Sequence, residues 1–175
     1  EALQVAIPDD RRDQAAKAAE ILGAGVWQKY PFREGATPLA EGAEAILNRT
    51  WRPNLEVVGT DSPDLRGGNV LRGRAMAKLS IRIPPHVDPV KATTAVRSAL
   101  ESDPPHGATV RFEPEQGAAG WEAPTMVPWL EASLAEASRL FFDAEPAFQG
   151  EGGTIPFMGM LGEMFPEAQF VITGL

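Results

Sequence analysis

The sequence predicts an α/β fold, a two-layer α/β sandwich, and three consecutive stretches carry that prediction. Over residues 74–83, Ala75, Ala77, Leu79, Ile81 and Ile83 alternate with Arg74, Met76, Lys78, Ser80 and Arg82, the period-two signature of a strand with one core face and one mostly polar face. Pro84 and Pro85 stop it. Asp88 then offers a helix cap with Pro89 in the first position, and Ala92, Val96, Ala99 and Leu100 form an apolar stripe that ends near Asp103 and Pro104. Over 108–113 the alternation resumes, with Ala108, Val110 and Phe112 on one face and Thr109, Arg111 and Glu113 on the other. Strand, helix and strand joined by short turns predict a parallel unit with a right-handed crossover.

The other elements follow in chain order. Ala15, Ala18, Ala19 and Leu22 recur at helical spacing between Asp9 or Asp10, either of which can cap, and Gly23, which suits a helix stop. Thr37 with Pro38 predicts a second helix through Leu39, Ala43, Ile46 and Leu47, and the stretch 30–35 between the two reads as loop. Leu55, Val57 and Val58, after Pro53 and before Gly59, predict a short strand; 60–72, rich in glycine and poor in apolar residues, predicts a loop. Beyond Trp121, a helix capped at Thr125 carries Leu130, Leu134, Ala137 and Phe141 on one stripe, an apolar helix spans 155–165, and 169–173 reads as a strand. An apolar strand at a chain end leaves a sheet pairing unfinished, so it is read as a truncation or a cut.

At 175 residues, 43% hydrophobic and 23% charged, the chain falls in the range of folded globular proteins. Its formal charge of -8 repels phosphate backbones and anionic lipid, which argues against nucleic-acid and membrane partners. No apolar run approaches the roughly 20 residues a bilayer span requires. The absence of cysteine excludes disulfides, thiolate zinc sites and a cysteine nucleophile, and it leans the expected location toward the cytoplasm.

Few residues are arranged for chemistry. His86 and His106 sit in proline-rich turns without the close helical spacing of zinc-binding pairs, and the acidic pairs Asp9–Asp10 and Asp61–Asp64 fit caps and turns. There is no Gly-x-Ser-x-Gly nucleophile elbow and no P-loop lysine after the glycines at 150, 152 and 153. What stands out is a combination. Asn69 closes a glycine-rich loop, Arg82 lies on the polar face of its strand, and Gly152, Gly153 and Thr154 precede a helix. Arg donates in a planar fork that matches a carboxylate, and successive amides at a helix start bind anions. Two carboxylate-type binders predict a peptide-like ligand; the plain alternative is a surface ion pair and a tight turn.

These residues also carry a family resemblance. WRPNLEVVG at 51–59, the run Asn69, Val70 and Leu71, LSIRIPP at 79–85, Gly120 with Trp121, and GEGGTIPFM at 150–158 occur in the order in which similar motifs occur in the di-zinc metallopeptidases that include aminoacylases, glutamate carboxypeptidases and carnosinase-type dipeptidases. The resemblance implies a lid and dimerisation domain over 1–120, a sheet with helices reaching over the metal site, and part of an α/β zinc-exopeptidase catalytic domain over 121–175. It implies that Arg82 binds the substrate's terminal carboxylate, with Gly153 and Thr154 beside it, and that Asn69 contacts the reacting group. Gln116 falls where some dipeptidases place a histidine. The two zinc ions and the catalytic glutamate of such enzymes belong to segments outside this chain, which is expected to bind no metal and to be inactive alone. The intact protein is then expected to be a homodimer that hydrolyses dipeptides or N-acyl amino acids. A non-catalytic dimerisation module and an unrelated small-molecule-binding α/β module are the alternatives.

Overall fold

The computed structural model describes residues 1–28, 30–61, 68–152 and 156–173. Its elements are α1 (Asp9–Leu22), α2 (Gly25–Gln28), α3 (Gly42–Thr50), β1 (Asn54–Thr60), β2 (Ala77–Arg82), α4 (Pro89–Glu101), α5 (Pro128–Phe142) and α6 (Pro156–Met164), a mixed α/β arrangement.

The core forms where small residues let helices approach. Ala15 and Ala18 on α1 are buried against the α3 region, where Ile46, Leu47 and Trp51 join Ile7 and Val26 in one apolar cluster. Gly23 closes α1 with φ of 51°, a left-handed conformation open to glycine at little cost, and its N–H returns to the Ala19 carbonyl. Asp9 and Asp10 occupy the first turn of α1 without making the cap hydrogen bond, so they act through the helix dipole. The helix expected from Pro38 starts later, at Gly42. Leu39 is fully exposed, so an earlier turn would have buried nothing in return for the entropy of ordering it.

After α3 the chain needs only Trp51, Arg52 and Pro53 to enter β1, which pairs antiparallel with β2. Asn54 faces Arg82, Leu55 faces Ile81 and Val57 faces Leu79; the register then shifts between Val57 and Gly59, a bulge that lets β1 run through Gly59 to Thr60. This pairing places the end of β2 beside the end of α3.

The strand expected over 108–113 does not form. The segment meets α4 instead: the Phe112 N–H donates to Glu101 Oε1 (2.6 Å) rather than to a strand, and the Phe112 ring lies under the Arg97 guanidinium. Among the described residues the sheet therefore has two antiparallel strands and no parallel crossover. Nor is 169–173 a strand: Gln169 Oε1 accepts the Val127 N–H and Phe170 packs edge-on against Trp121, with no neighbouring strand among the described residues to complete a ladder.

Candidate functional site

Arg82 is the last residue of β2, exposed, on the side of the strand where the alternation placed it. Its Nη1 donates to the carbonyl of Gly152, 70 residues further along the chain. The fold thus brings together two of the features that stood apart in the sequence. Gly153 and Thr154, expected beside Arg82, lie outside the described residues.

The turn that carries Gly152 rests on the end of α3. A Cβ at Gly152 would overlap the Arg49 carbonyl, so that position requires glycine, while one at Gly150 would come within 3.1 Å of Thr50 Cγ2, a tight contact that a small shift of the threonine side chain could relieve. Beside this contact lies a cleft of about 600 Å³, lined by Arg82, Arg49, Asn54 and the aromatic residues Trp27, Tyr30 and Phe32. Its volume lies in the range of small-molecule sites, and Gln4, Asn48, Arg52 and Glu56 add to its polar side, so the lining residues are about as often polar as apolar. Phe32 meets both Trp27 and Tyr30 edge-on, at centroid separations of 6.2 and 6.5 Å, which shapes the wall. On another side Arg52 donates to Glu44 Oε2 (2.6 Å), and that hydrogen bond with the Arg52 charge holds the Glu44 carboxyl below its ordinary range.

The other expected site residues do not converge there. Asn69 is exposed in the loop before β2, and no hydrogen bond joins it to Arg82 or Gly152 among the described residues. Gln116 is also exposed, next to Glu115, whose carboxylate pairs with Lys78 at the far end of β2 (3.2 Å).

A second concavity, of about 480 Å³, opens at Gly120. Gly120 passes so close to Pro84 and Pro85 that a Cβ would sit 2.9 Å from the Pro85 nitrogen. Glu122 then binds in two directions, to Arg11 Nε (2.9 Å) and to His86 Nε2. Burial alone would push its carboxyl up, but the bonds from His86 and Arg11 outweigh it and the group lies below its ordinary value. With Glu122 so engaged, this concavity serves as a joint between α1, the turn after β2 and the segment at Trp121.

No group of three or more His, Asp or Glu side chains suited to a metal ion occurs among the described residues. His86 is held by Glu122 with the Arg11 guanidinium on the same carboxylate, an unfavourable place for a second cation. These residues therefore do not fit a zinc site. No described helix is long and apolar enough to cross a membrane. Sequence reasoning missed Arg49 and Tyr30, because nothing in local spacing distinguishes an arginine in a last helical turn from one placed to meet the helix dipole.

The fold is similar to part of human carnosine dipeptidase 1. The match has a TM-score of 0.61 at 24% identity and covers 91% of this chain, which spans 34% of the length of that one. No protein-family model and no curated protein sequence matches the chain.

Proposed function

We propose that this chain is the carboxylate-binding part of a zinc-dependent hydrolase acting on dipeptides or N-acyl amino acids. The observation that carries the reading is the meeting of Arg82 with Gly152 at the rim of the cleft. A guanidinium fork has five donors, so one bond to the Gly152 carbonyl leaves others for a substrate carboxylate. The amides of Gly153 and Thr154, with the Thr154 hydroxyl, complete the clamp in this reading, Asn69 steadies the reacting carbonyl, and Gln116 faces the substrate from the lid. Fold likeness to a dipeptidase and the motif order support the assignment. Bond cleavage itself is assigned to zinc-binding segments outside this chain. A second reading, a dimerisation module without activity, is favoured by the exposed Leu55, Val57 and Val58 of β1.

Replacing Arg82 by Ala in the full-length enzyme tests the clamp. Charge-assisted hydrogen bonds contribute about 1.5–3 kcal/mol each, so kcat/KM for a dipeptide with a free carboxylate should fall roughly tenfold to several hundredfold. The C-terminally amidated dipeptide should lose much less. An equal loss for both substrates, or none for the free dipeptide, would remove the assigned role.

A further inference from the structure

Arg49 sits in the last turn of α3, and its side chain is only 18% exposed. Charged side chains are rarely so covered unless they are paired. Here the pairing reaches across the cleft wall. Nη1 donates to Tyr30 Oη (3.3 Å), while Nη2 donates to Gln149 Oε1 (3.4 Å) and lies 3.5 Å from Glu151 Oε1. Nε is buried with no hydrogen-bond partner among the described residues. The guanidinium thus joins the aromatic wall to the turn at 149–152 through its two terminal nitrogens. That same turn packs on the Arg49 and Thr50 backbone and side chains through Gly150 and Gly152, and Gly152 presents its carbonyl to Arg82.

We propose that Arg49 is a positioning residue that pins the 149–152 turn to α3, so that the Gly152 carbonyl stays opposite Arg82. The catalytic consequence rests on the carboxylate-clamp reading; the pinning does not. Without Arg49, Glu151 and Gln149 lose their common anchor, and the partner of Arg82 is no longer held in place. A carboxylate would then bind weakly, while chemistry on molecules already bound would proceed.

Hydrogen exchange and kinetics on the full-length protein, wild type against Arg49→Ala and Arg49→Lys, separate the two parts. Arg49→Ala should speed exchange of the 149–152 amides by about tenfold or more while α1 and the middle of α3 keep their protection. Arg49→Lys, which keeps the charge, should fall between. KM for a free-carboxylate dipeptide should rise about five- to tenfold with kcat within about twofold, and an amidated dipeptide should be unaffected. Unchanged exchange in the turn would overturn the proposal, as would exchange raised equally through α1 and α3, which would make Arg49 merely structural. Faster exchange in the turn with an unchanged KM would support the pinning and sink the clamp. If the wild-type protein cleaves no dipeptide, the hydrolase reading falls and exchange alone decides Arg49.

Discussion

Glu122 shows how a single side chain can tie distant segments together. Its carboxylate takes one bond from Arg11 on α1 and one from His86 in the turn after β2, and Arg11 Nη2 also reaches the neighbouring Ala123 carbonyl (2.7 Å). His86 adopts a φ of 67°, a left-handed conformation uncommon for a side-chain-bearing residue, which places its ring where Glu122 can meet it. Burial raises the Glu122 carboxyl, but His86 and Arg11 lower it further, so its folded-state value lies below its unfolded one. The sign follows: the contribution is complete above the ordinary glutamate range and is lost as pH falls through the folded value. Thermal melting should therefore show wild-type stability declining on acidification across that window, with Glu122→Gln less stable at neutral pH and converging on wild type at low pH. A constant gap between the two at every pH would contradict this. Arg82 was legible beforehand because strand alternation alone puts it on the polar face; Glu122 was not, since both of its partners are remote in sequence.

Helix starts separate local signals that suffice from those that do not. Asp88 caps α4 as expected: its Oδ1 accepts the N–H groups of Val90 (2.8 Å) and Lys91 (3.1 Å), and Pro89 takes the first turn, where no N–H is needed. Those two backbone bonds hold the Asp88 carboxyl below its ordinary range. Asp88→Ala should lower Tm by roughly 2–4 °C, whereas Asp88→Asn, an equally good cap, should lose little. Below the folded-state value the aspartate protonates and its electrostatic advantage over asparagine disappears. The helix expected to be capped at Thr125 instead begins at Pro128 after Val127, with no side-chain cap. Its predicted stripe is only partly covered, with Leu130 and Leu134 half-buried and Phe141 75% exposed. Periodicity identified this helix correctly, but a hydroxyl near its start was not enough to fix its first residue.

The chain exposes 13628 Å² of accessible surface. A compact monomer of its 18.8 kDa mass would expose about 8,300 Å². Much of the excess is apolar: Trp129, Leu140, Phe141 and Phe142 on α5, Phe157 and Met164 on α6, and Leu55, Val57 and Val58 on β1 are all more than half exposed. Both strands of the described sheet also keep a free edge, which invites pairing. Light scattering over a concentration series should give a mass approaching twice that of the chain, in line with the proposed homodimer. Val57→Lys, which puts a charge on the exposed strand, should shift the equilibrium toward monomer. A monomer at every concentration would exclude association through this sheet.

From the sequence alone came the α/β class, the positions of α1, α4 and α6, the two strands that pair, and the exposed placement of Arg82 on its strand. Each of these rests on signals within a few residues of one another: alternation, helical period and proline stops. Tertiary structure decided the rest. It determined that 54–60 pairs antiparallel with 77–82, that 108–113 gives its Phe112 amide to a glutamate instead of a strand, and that Arg82 meets Gly152. It also brought Arg49 to Gln149 and Arg11 to Glu122. Hydrogen-bond partners separated by 70 to 111 residues leave no periodic trace in the chain, because their proximity depends on how helices and strands close on one another rather than on any local preference.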